Sequence, residues 1–467
     1  MQITVRVSSL ELFHCKNVVH GKFYFPCSKS RTMKRADVLG MYGQNGTGKS
    51  AAVSAFQLLQ VLLHGQALEP DAVRLIDQQA DCARFLFTFL VCMDRRYYEL
   101  VYAFTLSKQD LDADDAVDLA NDRVYDPVFV AHEEIRYKEL VKGARYRTLI
   151  SFSMDGGEAR VSPNAAAAKL RSGKDDRMVA FRVNVAMAVQ RRTSVLFCEQ
   201  GFELLQHAFD QQALGLLHAL KRVFASRLFV LNNRESGLSL ANMSIPIHCP
   251  VEADRSYKIV AFPINQPKWV DHATHGTLRH VLRAISKVLR ELVPGLTVEA
   301  RPLRQTTNER HKGVYIELAV KRGGRLLPID CESDGVKKLL TILSALVVMY
   351  NDENACVVID ELDAGIYEFL LGEIVKILND GGKGQLLFTS HNLRLLEVLE
   401  RENLVFTSAN PENRYIVLRG IRERSNIRDM YIRAIQLGHD GEEVYEPTDR
   451  CMIMEAFDEA GEFGHGR

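Results

Sequence analysis

The hydrophobic and polar residues of this chain follow two periodicities, one of two residues and one of three to four. Residues 83–105 alternate apolar and polar side chains on both sides of a polar break at 94–96, which predicts a β-hairpin. Residues 202–225 and 280–292 place apolar residues at intervals of three and four, which predicts amphipathic helices. The pattern therefore predicts a mixed fold of helices and strands.

Two short runs with apolar centres are predicted to be strands buried inside a parallel sheet. These runs are residues 356–359 and 385–390. A third predicted strand, residues 37–42, leads toward an apolar helix at 51–63. Further strands are expected at residues 313–320, 404–407 and 415–418, and a partly exposed helix within the basic run 419–433. We therefore predict an α/β fold assembled from both ends of the chain.

A complete GxxxxGKS phosphate-binding loop lies between the strand at 37–42 and the helix at 51–63. Its residues are Gly43, Gln44, Asn45, Gly46, Thr47, Gly48, Lys49 and Ser50. Such a loop directs backbone N–H groups at a polyphosphate, and adds a lysine for the β and γ phosphates and a hydroxyl for Mg²⁺. The alternative, a glycine-rich surface turn, is disfavoured because the motif has the strand and helix flanks that it requires. The loop predicts binding of ATP with Mg²⁺.

Composition narrows the choice of partners and compartment. The 59 basic and 59 acidic residues cancel, so any contact with nucleic acid must come from a local patch, a dimer groove or a partner. Nine scattered cysteines without a CxxC pair support neither a zinc site nor a disulfide framework, and they fit a reducing cytoplasm. The longest apolar stretches, near Phe85 and Leu339, are too short to span a membrane. We expect a soluble cytoplasmic protein.

Two adjacent carboxylates, Asp360 and Glu361, end the apolar run at 356–359. Ligands of parallel sheets gather at the carboxyl ends of the strands, so both acids are expected beside the phosphates. Asp360 would then hold Mg²⁺, directly or through water, and Glu361 would polarise the attacking water. Taken alone, a pair of acids after a strand could equally be a turn.

Two further candidate residues lie on either side of Asp360 in the sequence, Ser333 before it and His391 after it. Ser333, with Gly335, begins an apolar helix at 339–350 and could present a hydroxyl and backbone amides to a γ phosphate. His391 ends the strand at 385–390. Singly, Ser333 could be a helix N-cap and His391 a surface histidine, but their spacing from Asp360 leaves room for one helix and one strand on each side.

With these motifs the chain resembles the ABC-type ATPases of the SMC and OLD (overcoming lysogenization defect) group. The resemblance covers roughly residues 1–105 and 313–420. It implies a P-loop NTPase fold of ABC-ATPase type with an N-terminal antiparallel β lobe and an inserted, mainly helical region.

The resemblance also implies roles for the motif residues. Ser333 with Gly335 would be a degenerate signature, Asp360 with Glu361 the Walker B acids, and His391 the switch histidine, which we count with Lys49 and Glu361 as catalytic. Two ATP molecules would lie between two heads, with Lys49 and Ser50 acting in one protomer and Ser333 and Gly335 in the other.

The sequence departs from the family pattern at several positions. Glu332 replaces the usual leading leucine of the signature, Asp334 stands at a glycine-like position, and Tyr367 replaces the usual D-loop aspartate. Gln200, after a strand-like segment at 194–197, is a candidate for the Q-loop, against the alternative of an ordinary loop glutamine. Asn17 is a candidate contact to adenine.

The predicted divisions are residues 1–107 and 313–420, which form the ATPase head, the insertion 108–312 and the tail 421–467. The insertion is too short for SMC arms, and the acids after His391 lack the pattern of an OLD-type TOPRIM nuclease. We therefore expect an ATPase, a homodimer or higher oligomer, that controls a separately encoded effector such as a nuclease in anti-phage defence.

Two other functions remain open from the sequence. A minimal SMC-like clamp in DNA repair, in contact with DNA or RNA, would show a basic stripe. A nucleotide-binding subunit of a transporter is disfavoured by the long insertion.

Overall fold

The computed structural model describes residues 2–30, 33–108, 128–155, 158–162, 177–232, 244–251, 256–306, 313–418 and 426–462. The strands in these ranges are β1 (Ile3–Cys15), β2 (Val18–Tyr24), β3 (Asp37–Tyr42), β4 (Cys82–Met93), β5 (Arg96–Lys108), β6 (Val128–Glu139), β7 (Arg147–Asp155), β8 (Glu158–Ser162), β9 (Leu228–Leu231), β10 (Ser244–Val251), β11 (Ser256–Pro263), β12 (Lys268–Asp271), β13 (Leu296–Thr306), β14 (Gly313–Arg322), β15 (Arg325–Pro328), β16 (Cys356–Ile359), β17 (Gln385–Thr389), β18 (Leu404–Thr407) and β19 (Tyr415–Ile416).

The α-helices in the same ranges are α1 (Cys27–Ser30), α2 (Lys49–His64), α3 (Arg177–Gln190), α4 (Glu199–Ala208), α5 (Gln211–His218), α6 (His272–Leu292), α7 (Asp334–Asn351), α8 (Glu368–Gly381), α9 (Leu395–Val398), α10 (Ile427–Leu437) and α11 (Arg450–Glu462). A π-helical turn, Ala219–Phe224, and short 3₁₀ segments complete the fold. No helix in the described residues combines the length and apolarity needed to span a membrane.

An antiparallel sheet forms the N-terminal lobe, in the order β2-β1-β4-β5-β6-β7-β8. The predicted hairpin is confirmed as β4 and β5, which pair from Cys82 to Met93. Asp94 (φ 49°) and Arg95 (φ 67°) join them in the left-handed region, the geometry of a two-residue hairpin turn. The inner face of this sheet packs on α2, where Phe56 meets Phe87 edge to face at 5.2 Å.

A second sheet lies at the centre of the molecule, in the order β19-β18-β3-β17-β16-β9. All of its pairings are parallel except that of β18 with β19. Every residue of β3 and β16 is buried, because one face packs on the lobe with α2 and the other on α7 and α8. The predicted apolar strands are therefore confirmed, and their apolar character follows from burial on both faces.

The interval 108–312 is more strand-rich than the inserted, mainly helical region that the sequence predicts. Strands β6 to β8 extend the N-terminal sheet, and β9 joins the central sheet beside β16. Both sheets therefore take strands from this interval, because the backbone of β6 pairs with β5 and that of β9 pairs with β16.

The two amphipathic helices differ from their predicted bounds. The segment predicted at 202–225 is interrupted after α4, because Asp210 caps a new helix by accepting a hydrogen bond from the Ala213 N–H at 2.9 Å. The helix predicted at 280–292 begins earlier, at His272, because Asp271 caps it through the Thr274 N–H at 2.8 Å. Of the basic run 419–433, residues 419–425 lie outside the described ranges, and α10 covers the remainder.

A third apolar core joins α6 and α7 to two small sheets, β10-β11 and β12-β14-β13. His248 on β10 lies where this core meets the central sheet. It is 2% exposed, its Nδ1 lies 2.7 Å from Ser344 Oγ, and its ring packs edge to face on Phe229 at 4.5 Å. Burial lowers the pKa of His248 to about 4.

The buried His248 is expected to make folding stability depend on pH. Its folded pKa lies below the unfolded value of about 6.5, so the unfolded chain binds more protons between these values. The stabilisation is present above the unfolded pKa and is lost as pH falls toward 4. Between pH 7 and pH 5 this residue should cost about 2 kcal/mol of unfolding free energy.

Urea unfolding at the two pH values measures this effect. In His248→Leu, the difference in unfolding free energy between pH 7 and pH 5 should shrink by about 2 kcal/mol. The exposed control His280→Leu should keep the wild-type difference. An unchanged difference in His248→Leu would contradict the assignment.

Candidate functional site

The loops that follow β3, β9, β16 and β17 meet at one edge of the central sheet. Because these four strands are parallel, their carboxyl ends lie together. The phosphate loop follows β3, Asp360 and Glu361 follow β16, and His391 follows β17. Three motifs that are far apart in the sequence are therefore neighbours in space, as the sequence predicts.

Close approach of the backbone explains the glycines of the loop. A Cβ at Gly43 would lie 1.6 Å from Thr407 Oγ1, and one at Gly48 would lie 2.7 Å from Val18 Cγ2. Gly46 (φ 80°) and Gly48 (φ 90°) also adopt left-handed backbone conformations. The loop therefore keeps its shape only with glycine at these positions, and it presents its amides at the N-terminus of α2.

Thr47 and Asn45 occupy different environments in the same loop. The Thr47 hydroxyl is buried and donates to the Gln44 carbonyl oxygen at 2.6 Å, while Asn45 is exposed at the loop tip. The buried Thr47 hydroxyl therefore stabilises the loop, and the loop tip at Asn45 is accessible to solvent.

Lys49 closes the loop from beneath. Its Nζ donates to the Gly43 and Gln44 carbonyl oxygens at 2.7 and 2.9 Å, and the residue is 7% exposed. Burial lowers the pKa of Lys49 from its ordinary value, and the carboxylates of Asp360, Glu361 and Asp363 oppose that effect. A polyphosphate in the loop would add negative charge directly beside this ammonium.

Asp360 is held between two hydroxyls. Its Oδ1 accepts a hydrogen bond from Thr389 Oγ1 at 2.6 Å, and its Oδ2 accepts one from Ser50 Oγ at 3.3 Å. The side chain is 3% exposed, which fixes its direction. The Ser50 hydroxyl and the Asp360 carboxylate therefore converge beside the loop, as a hydroxyl and a carboxylate must in order to share the coordination shell of one Mg²⁺.

Glu361 follows Asp360 and has a left-handed backbone conformation. Its φ is 49°, and its N–H donates to Thr389 Oγ1 at 2.8 Å. A left-handed conformation is uncommon for residues other than glycine and occurs often at active sites. The residue is exposed, so its carboxylate can reach a water molecule that the buried Asp360 cannot.

His391 lies at the same edge. Its backbone N–H donates to Asp363 Oδ2 at 3.1 Å. Partial desolvation and the positive charge of Lys49 lower the pKa of its imidazole, so the ring is neutral at pH 7. Because β17 pairs in parallel with β3, with Thr389 beside Met41, His391 and the phosphate loop follow neighbouring strand ends.

Ser333 and Gly335 begin α7. Ser333 is the N-cap, and its Oγ accepts a hydrogen bond from the Val336 N–H at 3.4 Å. A Cβ at Gly335 would lie 2.5 Å from the Gly365 carbonyl oxygen, so the helix start packs on the loop that follows the acids. In the described residues this N-cap bond is the only hydrogen bond of the Ser333 hydroxyl.

Gln200 is not brought to the phosphate loop. It lies on α4, two residues after Cys198, whose Cα would be 2.8 Å from a Cβ at Gly65. Gly65 follows the last residue of α2, and a helix of 16 residues is about 24 Å long. Residues 194–197 form a turn rather than the strand that the sequence suggested, so this candidate is corrected.

The sheet places a different amide at this edge. Asn232 follows β9, the strand that pairs with β16, and its Nδ2 donates to Gln57 Oε1 on α2 at 2.9 Å. Sequence reasoning missed Asn232, because nothing local shows that a four-residue strand inside the insertion pairs beside the Walker B strand.

Helix α7 also buries two lysines that the sequence analysis did not single out, Lys337 and Lys338. Lys338 on α7 is 1% exposed. Burial lowers the pKa of Lys338, and the charges of Glu361, Asp360 and Asp363 oppose that effect. Helix α7 therefore contributes a buried cation whose charge acts on these acidic residues. The only sequence signal was a charged pair inside an apolar helix.

The first hairpin approaches the loop beside Asn17. The Asn17 carbonyl oxygen accepts a hydrogen bond from Arg414 Nη2 at 2.6 Å, and Tyr415 Oη donates to the Gly48 carbonyl oxygen at 2.8 Å. Asn17 is exposed next to Val18, which touches Gly48. An adenine contact from this hairpin stays a prediction.

The fold and the site define the class of this protein. A parallel central sheet, a glycine-built phosphate loop after β3, two acids after β16 and an antiparallel N-terminal lobe are the features of a P-loop NTPase of ABC-ATPase type.

A family described as "AAA domain, putative AbiEii toxin, Type IV TA system" matches residues 199–397, which is less than half of the chain. No curated protein matches the sequence.

Solved structures similar to this chain include three SMC heads. An Smc head bound to the C-winged helix domain of ScpA has a TM-score of 0.43 and 12% identity, covering 88% of this chain and 98% of that chain. An Smc head domain with an extended coiled coil, bound to the C-terminal domain of ScpA derived from Pyrococcus furiosus, has a TM-score of 0.39 and 12% identity, covering 92% and 98%. The SMC head domain from Thermotoga maritima has a TM-score of 0.35 and 11% identity, covering 88% and 99%.

Proposed function

We propose that this chain hydrolyses ATP at composite sites between two head-to-tail copies, and that this cycle controls a separately encoded effector. One observation carries the catalytic part. Asp360 is oriented by hydrogen bonds from Ser50 and Thr389 beside a loop whose backbone leaves no room for a Cβ at Gly43 or Gly48. This arrangement suits a nucleoside triphosphate together with its metal ion.

The residues of one protomer divide the work. The amides at 43–48 and Lys49 would bind the β and γ phosphates, and Ser50 with Asp360 would hold Mg²⁺. Bound Mg²⁺ would neutralise charge on the phosphate oxygens. Glu361 would orient and deprotonate the attacking water, and the neutral His391 would donate a hydrogen bond toward the γ phosphate.

An exposed aromatic surface supports dimerisation. Tyr367 is 69% exposed and Phe369 is 50% exposed, and their ring centroids lie 5.7 Å apart. They follow Gly365, which packs on Gly335 at the start of the signature helix. Ser333 is also exposed there, so a second copy that covers the aromatic pair would meet the signature at the same time.

The effector is proposed by resemblance. The description that matches residues 199–397 names an AAA domain, a putative AbiEii toxin and a type IV toxin–antitoxin system. From the resemblance to the SMC and OLD group, we expect an anti-phage module that also encodes a nuclease or another toxic protein. Since the site proposed above would hydrolyse ATP, we assign the toxic or nucleolytic step to that separate protein by analogy.

ATP-dependent association tests the dimer. Glu361→Gln should bind ATP with Mg²⁺ without rapid turnover, and light scattering should then show the molecular mass rising toward twice that of the monomer. Lys49→Ala, measured in parallel, should show no response to ATP. A Glu361→Gln chain that is saturated with ATP and remains monomeric would contradict the sandwich.

A further inference from the structure

One face of α6 carries a row of cations that the ATPase site does not use. The row consists of Arg279, Arg283, Lys287 and Arg290, all exposed. Their spacings of four, four and three residues place them on one side of the helix, beside the buried apolar side. We call these four residues the basic row.

Little acidic charge balances the basic row. Among the described residues, Arg279, Arg283 and Lys287 form no ion pair, and Arg290 meets only its exposed neighbour Glu291 at 3.9 Å. The chain as a whole is neutral, with 59 basic and 59 acidic residues. The row is therefore a local segregation of charge, of the kind that composition required for any contact with a polyanion.

The row opens onto a groove between α6 and the edge strand β13. The groove has a volume of about 650 Å³ and includes all four cations of the row. Glu299 is the single acidic side chain among its lining residues in the described part of the chain. From Arg279 to Arg290 the row extends along about 16 Å of helix axis.

We propose that the basic row binds the phosphate backbone of double-stranded DNA. Laid along the duplex axis, a 16 Å row matches the axial rise of roughly five phosphates of one strand, at 3.4 Å each. Among the described residues that line the groove, none is Phe, Tyr or Trp, the side chains on which unpaired bases stack. The surface therefore fits a duplex backbone, read without base sequence, better than a single strand.

The opposite side of α6 connects the row to the ATPase site. Leu278, Leu282 and Ile285 share one apolar core with Val336 and Leu340 of the signature helix α7. A ligand that shifts α6 would therefore act on the helix that carries Ser333. Duplex DNA is expected to change the rate of ATP hydrolysis, a consequence that goes beyond the proposed function.

Fluorescence anisotropy with a labelled duplex of about 30 base pairs, without nucleotide and over a range of salt concentrations, tests the binding. Arg283→Ala with Lys287→Ala should weaken binding roughly 10- to 100-fold near 0.1 M salt and lower the slope of log K against log salt by about two. Arg283→Glu with Lys287→Glu should weaken it further. Arg283 and Lys287 are exposed, so both variants should fold, and an unchanged thermal unfolding transition confirms this.

The matched control is Lys142→Glu with Arg145→Glu, an equal charge change on exposed residues between β6 and β7. Wild-type DNA affinity in this control supports the basic row. If both charge-reversal variants lose DNA affinity equally, net charge alone explains the effect and the proposal is overturned. Tighter binding of a single strand of the same length, or no binding at low salt, would overturn it as well. Since the assay contains no ATP, its result does not depend on whether the chain hydrolyses ATP.

Discussion

Lys49→Ala is expected to abolish ATP binding, whereas Glu361→Gln should retain binding and slow hydrolysis by roughly two to four orders of magnitude. The first change removes the buried ammonium that closes the phosphate loop through Gly43 and Gln44. The second keeps the size of the side chain but removes the base, and Asp360 stays in place because Ser50 and Thr389 hold it independently.

Binding of a fluorescent ATP analogue and release of phosphate measure the two effects separately. Lys142→Ala and Glu373→Gln are matched controls, since both residues are exposed and lie outside the site. Unaltered turnover in Lys49→Ala or in Glu361→Gln would show that the site has been assigned to the wrong residues.

Ser333→Arg is expected to suppress turnover while each chain still binds ATP. In this structure Ser333 caps its own helix and is exposed at the surface, so its proposed partner is the γ phosphate held by another copy. An arginine side chain there would fill the space between the two heads. Wild-type turnover in Ser333→Arg would remove the need for a signature supplied in trans.

Mixing two inactive chains makes this test sharper. A Lys49→Ala chain paired with a Ser333→Arg chain contains one site with an intact lysine and an intact signature, and one site with neither. If the sites act independently, an equal mixture should recover at most about a quarter of wild-type turnover, because half of the dimers are mixed and each has one intact site. Each variant alone serves as the control, and a mixture as inactive as its components would contradict the composite site.

Local patterns were sufficient to predict the parts of the site that lie within one loop or strand. The glycines at 43, 46 and 48 indicate the phosphate loop, because other residues rarely adopt the conformations of Gly46 and Gly48 and a Cβ at Gly43 or Gly48 would collide with neighbouring side chains. The apolar run before Asp360 predicts a strand buried on both faces of the sheet, because such strands have no polar face. The roles given to these residues in hydrolysis stay predictions.

Parts of the site that depend on the order of strands were not predictable in this way. The local context of Gln200 predicts a Q-loop residue, yet Gln200 lies at the far end of α2. Asn232 instead reaches the edge of the central sheet, because β9 pairs with β16 across more than a hundred residues. The position of Lys338 could not be predicted locally either, because its burial near the acidic residues depends on how α7 packs on the central sheet.

The amino-acid sequence by itself determined the chemistry of this protein: a phosphate loop, a pair of carboxylates after a buried strand, and an overall charge of zero. These features are encoded by neighbouring residues, so short-range sterics and hydrophobicity reveal them. Only the tertiary structure decided that strands from the interval 108–312 complete both sheets, that Ser333 faces outward, and that four cations of α6 form a row against β13. Those facts depend on packing between distant segments, whose free energy is shared among many weak contacts and leaves no local pattern in the chain.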